Sequence, residues 1–279
     1  MSSIKNKQIL VTGGAGSIGS ELVRQLCKEN AVYFIDNNET SLFDLYEDLK
    51  QSGFTVYARV GDIRDSKIFE EIYAEFRPDL LYHSAALKHV TPSSWSPEEY
   101  ISTNITGTLN VLKFAMKYKI RVINISTDKV VHSNSVMGAT KKVAEIMTRE
   151  AHQISVRFGN VMGSRGSVLS IWQKQIEEGR PLTVTDERMT RYMMTIPQAC
   201  GLVIKAAEIG KDGEIFILKM GEQVNVLSLA QEILKKSGKD VGIKMIGSRP
   251  GETLDEKLYT QEEALSIHTN ETDEFFIIK

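Results

Sequence analysis

The chain has 279 residues, of which 42% are hydrophobic and 25% charged, a balance typical of a globular protein with a full core. Its formal net charge of −2, without blocks of like charge, excludes the charge pattern of a nucleic-acid-binding surface or an acidic tail. The polar N-terminus and the lack of an apolar run of roughly 20 residues lead us to expect a cytoplasmic protein that does not insert into a membrane.

Apolar runs of strand length alternate with amphipathic segments through the first half of the chain. Strands are predicted at 8–12, 31–36, 55–60, 80–84, 121–126 and 154–158, and helical periodicity covers 17–29 and 97–118. This alternation is typical of βαβ units that build a parallel sheet. After Gly159 the pattern changes to glycine-rich loops, a helix over 168–178, a segment at 188–195, and a strand and helix within 214–237.

These elements predict an α/β fold in two parts. Residues 1–160 form a Rossmann-like, doubly wound parallel sheet, and residues 161–279 form a smaller substrate lobe. The boundary is approximate, and we expect some of the chain to cross back. Right-handed crossovers place ligands at the carboxyl ends of parallel strands, so one binding crevice is expected there.

A glycine-rich stretch follows the first strand and opens the first helix. Gly13 permits a tight turn, Gly16 lets the backbone approach a pyrophosphate, and Gly19 allows the helix to pack closely on the strand. The N-terminus of this helix faces the phosphates. The predicted phosphate-binding residues are Gly13, Gly16, Ser17, Ile18 and Gly19.

Asp36 ends the second strand about 20 residues after these glycines, where a carboxylate accepts hydrogen bonds from a ribose and repels a 2′-phosphate. NAD is therefore expected in preference to NADP. Asp62 ends the third strand, where it either bonds the adenine amino group or caps a helix. The predicted cofactor site is completed by Ile63, Ser84 and Ala85.

The glycine spacing, together with Thr127 and Lys141, resembles the extended short-chain dehydrogenase/reductase superfamily. Within it, the chain is most similar to nucleotide-sugar 4,6-dehydratases of the polysaccharide-biosynthesis type, which act on UDP-N-acetylglucosamine and related sugars. The matching segments are 12–19, 61–65, 85–90, 104–108, 126–129, 136–141, 157–161, 164–167, 189–191 and 249–252. They span nearly the whole chain in order, which is more specific than any single motif.

The resemblance implies a reaction in which the sugar C4 hydroxyl is oxidised by bound NAD, water is lost across C5 and C6, and the hydride returns to C6. It makes Lys129 the base at C5 and Asp128 the acid at C6. An enclosed site near other cations would lower the pKa of Lys129 and raise that of Asp128. The alternative to this catalytic role is that Asp128 and Lys129 form only a solvated ion pair in a loop.

The resemblance also implies that Lys141 holds the nicotinamide ribose. Met137 stands one helical turn earlier, where related dehydrogenases carry a tyrosine, and both side chains are expected on the face toward the cofactor. Methionine cannot accept a proton. Oxidation of C4 then needs another group to accept the hydroxyl proton. We expect Thr127 to pass this proton to Asp128; Lys129 is the less favoured candidate. Alternatively, Met137 marks an inactive relative that only binds cofactor.

Several residues are expected to bind the nucleotide diphosphate or the sugar. Arginine's planar fork suits phosphate oxygens, and three arginines lie beside glycine or proline turns or within a matching segment; each could instead form a surface ion pair. Lys88 and Asn160 follow strands at the expected crevice. The predicted substrate-binding residues are Lys88, Asn160, Arg165, Arg191, Arg249 and Glu252.

These observations predict an NAD-dependent nucleotide-sugar 4,6-dehydratase acting on UDP-N-acetylglucosamine, with internally recycled NAD and no metal. A 4- or 5-epimerase on the same fold and a silent NAD-binding protein are the alternatives. The pair Asp128 and Lys129 favours dehydration over epimerisation, because only dehydration needs an acid at C6. By resemblance alone, we expect a homo-oligomer.

Overall fold

The computed structural model describes residues 4–267 and 271–279. Its strands are β1 (Gln8–Thr12), β2 (Ala31–Asp36), β3 (Val56–Val60), β4 (Leu80–His83), β5 (Arg121–Ile125), β6 (Ile154–Arg157), β7 (Asn160–Met162), β8 (Leu182–Val184), β9 (Thr190–Arg191), β10 (Met193–Thr195), β11 (Ile215–Leu218), β12 (Val224–Asn225), β13 (Ile243–Met245) and β14 (Phe275–Ile278). Its α-helices are α1 (Ser17–Leu26), α2 (Glu39–Gln51), α3 (Lys67–Glu75), α4 (Val90–Ser93), α5 (Pro97–Tyr100), α6 (Thr108–Tyr118), α7 (Val136–Glu150), α8 (Val168–Glu177), α9 (Ile196–Ile209), α10 (Val226–Ser237) and α11 (Gln261–Ile267).

The large sheet has the strand order β14-β11-β6-β5-β4-β1-β2-β3. The pairs from β3 to β11 are parallel, and β14 runs antiparallel to β11. The order reverses between β1 and β4, and in doubly wound sheets ligands bind beyond the carboxyl ends of the strands at such a reversal. The predicted Rossmann-like α/β fold is confirmed.

The core lies on both faces of this sheet because successive strand residues point to opposite sides. In β1, Ile9 and Val11 belong to the apolar cluster on one face, whereas Leu10 belongs to the cluster on the other. A third cluster around Trp172 lies in the second half of the chain. The sheet is therefore buried on both sides, which leaves its strand ends as the place for a ligand.

The second half of the chain also completes the large sheet, since β11 and β14 extend it beyond β6. Helix α9 packs on α1, where the Cys200 thiol donates to the Ile18 carbonyl at 3.5 Å. The chain thus crosses back, as expected, and the division at residue 160 stays a prediction.

The predicted helix over 97–118 is interrupted by a π-helical segment, Ile101–Gly107, between α5 and α6. Such segments are frequent at functional sites. Within it, the Asn104 side chain accepts from the Leu87 amide at 2.8 Å and donates to the Thr140 hydroxyl at 3.0 Å. Asn104 therefore ties the loop after β4 to α7, two elements that border the strand ends.

A fully buried arginine anchors the C-terminal segment to the sheet. At the end of β6, Arg157 donates to Glu145 at 2.7 Å, to Glu263 at 2.9 Å and to the Leu258 carbonyl at 2.9 Å. Breaking a buried ion pair by removing one partner leaves an uncompensated charge, which is strongly destabilising. The network consequently fixes the chain immediately after residues 251–257, which reach the candidate site.

We predict that Arg157→Met lowers the free energy of unfolding by about 3–5 kcal/mol, because Glu145 and Glu263 lose their buried cation. Urea denaturation measures this change. Arg149→Met is the control, since Arg149 pairs with the exposed Glu150 at the end of α7, the helix that carries Glu145. This substitution should cost no more than about 0.5 kcal/mol. Equal, small effects of both substitutions would contradict the anchoring role.

Candidate active site

The loops after β1 and β4 meet at the strand reversal. Gly13 has φ 66°, a left-handed conformation that favours glycine, and a Cβ built there would lie 2.6 Å from the Ala85 nitrogen. The Ser84 amide donates to the Thr12 carbonyl at 3.1 Å. Gly13 thus lets the glycine-rich loop lie directly against Ser84 and Ala85.

Helix α1 begins at this loop with its N-terminus open. A Cβ at Gly19 would lie 2.0 Å from the Gly13 carbonyl oxygen, so only glycine permits this approach. Gly16 is the N-cap and supplies no side-chain hydrogen bond to the first turn. The amides at Ser17 and Ile18 therefore begin a helix that is suited to an anionic group.

The carboxylate of Asp36 is fixed at the end of β2 beside this loop. It accepts from the Ala15 amide at 3.0 Å and from the Asn38 amide at 2.9 Å. Each oxygen keeps a lone pair for a further donor, such as a ribose hydroxyl. The glycine cradle, the open helix end and Asp36 together fit a dinucleotide, so this chain's residues are compatible with the NAD that the sequence predicts.

Asp62 is engaged by its own loop. It accepts from the backbone and the guanidinium of Arg64, whose hydrogen bonds lower the pKa of Asp62. The alternative that Asp62 caps a helix is wrong, because α3 begins at Lys67 with Ser66 as its N-cap. Ile63 is buried in the core, where a Cβ on Gly107 would meet it at 2.4 Å.

The pair Asp128 and Lys129 lies in a 3-10 turn directly after β5. The Thr127 hydroxyl donates to Asp128 Oδ1 at 3.0 Å, and the Lys129 ammonium donates to the same oxygen at 3.0 Å. Asp128 is buried, and its Oδ2 lacks a hydrogen-bond partner within the described residues. The pair is therefore enclosed, not a solvated surface pair.

A second buried carboxylate completes this cluster. Glu256 Oε1 lies 2.9 Å from the Lys129 Nζ and 3.3 Å from the Arg191 Nε. Asn160 accepts from Lys129 at 3.3 Å and donates to Glu256 Oε2 at 3.1 Å. Lys129 is consequently held between two carboxylates, one from its neighbour in the chain and one from the C-terminal part of the chain.

The charges of this cluster set its protonation. Burial raises the pKa of Asp128 to about 7, against the ammonium of Lys129 and with the help of the Glu256 carboxylate. Burial opposes ionisation of Glu256, but the ammonium of Lys129 holds the pKa of Glu256 well below the ordinary value. The raised pKa expected for Asp128 is confirmed.

The lowered pKa expected for Lys129 is wrong. Burial does act in that direction, but the carboxylates of Asp128 and Glu256 outweigh it and raise the pKa of Lys129. The sequence shows the neighbouring Asp128 but not Glu256, which follows 127 positions later. Lys129 is therefore an ammonium ion in this arrangement.

Helix α7 packs on the 3-10 turn Asp128–Val130, here called the catalytic turn after the predicted role of its residues. A Cβ at Gly138 would lie 2.7 Å from the Lys129 carbonyl oxygen, so glycine lets the helix approach. Met137 and Lys141 are both buried on this helix, one turn apart. The Lys141 ammonium donates to the Ile125 carbonyl at 2.6 Å, and burial lowers its pKa to about 8 against the attraction of Glu145.

A cavity of about 180 Å³ lies over the catalytic turn. Its lining residues are Val90, Asp128, Lys129, His132, Ser135, Asn160, Arg191, Gly251, Glu252, Thr253, Asp255, Glu256 and Lys257. Sequence reasoning missed His132, Asp255 and Glu256, and among them Glu256 touches the predicted acid–base pair.

The predicted substrate-binding arginines lie in different places. Arg191 clamps the segment that carries Glu256, since its guanidinium also donates to the Thr253 carbonyl at 2.8 Å and the Leu254 carbonyl at 3.1 Å. Arg249 is exposed, and its amide donates to the Glu252 carboxylate at 3.1 Å. Binding of a diphosphate by either arginine stays a prediction.

Arg165 and Lys88 lie together, away from the lining of the cavity. The Lys88 ammonium donates to the Ser164 hydroxyl at 3.2 Å, next to Arg165 in the chain. The Arg165 backbone amide donates to the Ser17 hydroxyl at 3.0 Å, on the glycine-rich loop. The structure thus brings Arg165 to the predicted cofactor site.

Within residues 4–267 and 271–279, none of the helices is long and apolar enough to cross a membrane. No group of three or more histidine, cysteine, aspartate or glutamate side chains in this part of the chain is placed to hold a metal ion.

Comparison with known proteins identifies the family. Residues 9–279 match the family described as polysaccharide biosynthesis protein. The chain belongs to this family. It is 40% identical over 276 residues to the capsular polysaccharide biosynthesis protein CapD of Staphylococcus aureus, a match that covers 93% of this chain and 46% of CapD. The chain therefore spans about half the length of this relative.

Two other similar proteins are matched over most of their own length. The chain is 34% identical to a UDP-glucose 4-epimerase of Rickettsia canadensis, over 92% of this chain and 79% of the epimerase. It resembles the X-ray structure of Pen from Bacillus thuringiensis with a TM-score of 0.91 and 36% identity, covering 98% of this chain and 88% of Pen. The family predicted from the sequence is confirmed.

A more distant likeness shows the fold alone. DesIV, a dTDP-glucose 4,6-dehydratase from Streptomyces venezuelae solved with NAD bound, superposes with a TM-score of 0.80 at 24% identity. The match covers 91% of this chain and 88% of DesIV.

We predict that Glu256→Gln lowers the pKa of Asp128 from about 7. The substitution removes the negative charge that assists burial in raising this pKa, while burial itself keeps it above the ordinary value. Carbon-13 NMR of the labelled Asp128 carboxyl across a pH titration measures the change. Glu252→Gln is the matched control and should leave the titration in place. An unshifted titration in Glu256→Gln would refute the coupling.

Proposed function

We propose that this chain is an NAD-dependent nucleotide-sugar 4,6-dehydratase that converts UDP-N-acetylglucosamine to a 4-keto-6-deoxy product for polysaccharide biosynthesis. The observation that carries the proposal is the buried cluster of Asp128, Lys129 and Glu256 under the cavity. Loss of water from a sugar needs an acid and a base a few ångströms apart in an enclosed site, and this cluster supplies both kinds of group.

The proposed cofactor site consists of the glycine-rich loop, the N-terminus of α1 and Asp36. NAD, when bound, holds the hydride that leaves C4 until it is returned to C6. Asp36 disfavours a 2′-phosphate in the same place, which supports NAD over NADP. Lys141 lies on α7, its ammonium reaches the end of β5, and it is proposed to hold the nicotinamide ribose.

Asp128 is proposed to carry one proton through the reaction. As a carboxylate it accepts the proton of the C4 hydroxyl through Thr127, whose hydroxyl already donates to it. As a neutral acid it then gives this proton to the C6 hydroxyl, which leaves as water. A pKa of about 7 suits both steps, because both forms are populated near neutral pH. Met137 needs no proton-transfer role in this scheme.

Lys129 is proposed to remove the C5 proton and later return it. The lysine is an ammonium between Asp128 and Glu256, so it must first give one proton to the Glu256 carboxylate, 2.9 Å from its nitrogen, and it takes this proton back when the cycle closes. Protonation of Asp128 during C4 oxidation removes one of the two neighbouring charges that hold the ammonium form, which favours this loss. Glu256 then keeps the amine in position through its short contact.

The sugar is proposed to occupy the cavity over this cluster, with Asn160 and Glu252 in its lining. Asn160 bridges Lys129 and Glu256, so a sugar hydroxyl that displaces one of these bonds would sit beside the base. Which base the nucleotide carries depends on contacts with the second half of the chain.

A 4-epimerase is the second candidate, because the similar Rickettsia canadensis protein is named a UDP-glucose 4-epimerase. Epimerisation also oxidises C4 but leaves C5 and C6 unchanged. It gives no role to an acid at C6, and the enclosed Asp128 therefore favours dehydration. The two reactions differ in the mass of their products.

We predict that the purified protein with NAD consumes UDP-N-acetylglucosamine with loss of one water and no build-up of NADH, since the hydride returns to the sugar. Mass spectrometry and absorbance at the NADH band follow the two quantities over a panel of UDP, GDP and dTDP sugars. A product of unchanged mass would establish the epimerase instead, and steady accumulation of NADH would exclude both.

We predict that Lys129→Ala abolishes water loss and the entry of solvent deuterium at C5, because no amine remains to exchange the C5 proton. NAD binding should persist, since Lys129 lies on the catalytic turn and not on the glycine-rich loop. Lys28→Ala, an exposed site, is the control. NMR of the product in deuterated water measures the exchange. Undiminished C5 exchange in the Lys129 variant would remove its role as base.

A further inference from the structure

The short loop 163–167, here called the arginine loop, connects β7 to α8 and lies on the glycine-rich loop. Arg165 makes three hydrogen bonds with the first half of the chain. Its backbone amide donates to the Ser17 hydroxyl. One guanidinium nitrogen donates to the Ser41 hydroxyl at 2.9 Å, and the other donates to the Ala15 carbonyl. These partners lie 124 to 150 residues earlier in the chain. A residue from the second half thus covers the predicted cofactor site.

All three partners of Arg165 are neutral. Within the described part of the chain, no carboxylate lies within ion-pairing distance, 4.0 Å, of its guanidinium. Arginine normally occurs where a planar fork can meet a carboxylate or a phosphate. The positive charge of Arg165 is therefore uncompensated next to the open N-terminus of α1, which adds to the positive potential.

A second cation reinforces this potential. Lys88 approaches from the loop after β4, and its pKa is lowered by burial and by the charges of Arg165 and Lys129. The arginine loop also packs against His89, which lies next to Lys88 in the chain. The approach is close, since a Cβ at Gly166 would lie 2.7 Å from the His89 ring. The position of Arg165 is thus set by contacts on both flanks.

The span of Arg165 matches one part of a dinucleotide. Ala15 and Ser17 belong to the loop that approaches a pyrophosphate, and Ser41 lies in the first turn of α2, after the strand that ends at Asp36. The guanidinium therefore lies between the pyrophosphate end and the adenosine-ribose end of the cofactor site. It is absent from the lining of the cavity over Lys129.

We propose that Arg165 binds the pyrophosphate and adenosine ribose of NAD from the substrate side and retains the cofactor between turnovers. This rests on the proposed function, in which the hydride is recycled and the cofactor need not leave. It reassigns Arg165, which the sequence predicts to bind the substrate diphosphate. The neutral partners that it now holds are the groups that a phosphate or ribose would replace or share.

Isothermal titration of nucleotide-free protein with NAD, ADP-ribose and adenosine tests the proposal. Arg165→Gln should weaken NAD and ADP-ribose binding by about 10- to 100-fold, the usual effect of losing a charged hydrogen-bonding partner. Adenosine, which keeps the ribose but lacks the pyrophosphate, should lose much less affinity than NAD. Arg249→Gln is the control, an exposed arginine with no contact to the glycine-rich loop among the described residues.

Unchanged NAD affinity in Arg165→Gln, or an equal loss for adenosine, would overturn the proposal. Weaker binding of UDP-N-acetylglucosamine alone would restore the substrate role and overturn it too. If the wild-type protein binds NAD but does not dehydrate any nucleotide sugar, the proposed reaction fails while the titrations still decide the role of Arg165.

Discussion

The contact of the Lys129 ammonium with the buried carboxylates of Asp128 and Glu256 is the constraint on which the candidate site depends. Burying any one of these three charged groups alone would cost much free energy. Each is tolerated because the others are present. Asp128 follows a central strand, whereas Glu256 comes from a C-terminal segment without regular structure. The fold must therefore bring that segment to the strand end and keep it there.

Two arginines hold the segment in place. Arg191 binds the carbonyls of Thr253 and Leu254 and the carboxylate of Glu256, and Arg157 binds the carbonyl of Leu258 from inside the core. Both therefore act on the active site through Glu256, whose segment they hold. This arrangement gives a physical reason for a fully buried arginine in β6, which would otherwise be an expensive choice.

The two halves of the chain meet at a second place, over the glycine-rich loop. There the contacts of Arg165 with Ala15, Ser17 and Ser41 join the second half to the first, as Glu256 does at the catalytic turn. Cofactor site and acid–base cluster are thus each completed by residues from beyond β6. The proposed reaction, in which the hydride returns to the same sugar, would benefit from enclosing both at once.

The sequence by itself determined the parallel sheet, the positions of its strands and the glycine-rich loop, because strand alternation, helix periodicity and glycine's steric freedom are local properties. It also placed Thr127, Asp128 and Lys129 after β5 and identified the family. Tertiary structure alone decided the partners: Glu256 beside Lys129, the π-helical turn that puts Asn104 against Leu87, and Arg165 over the glycine-rich loop. The pKa of Lys129 was misjudged for this reason, since a charge 127 positions away acts through space and leaves no trace in local spacing.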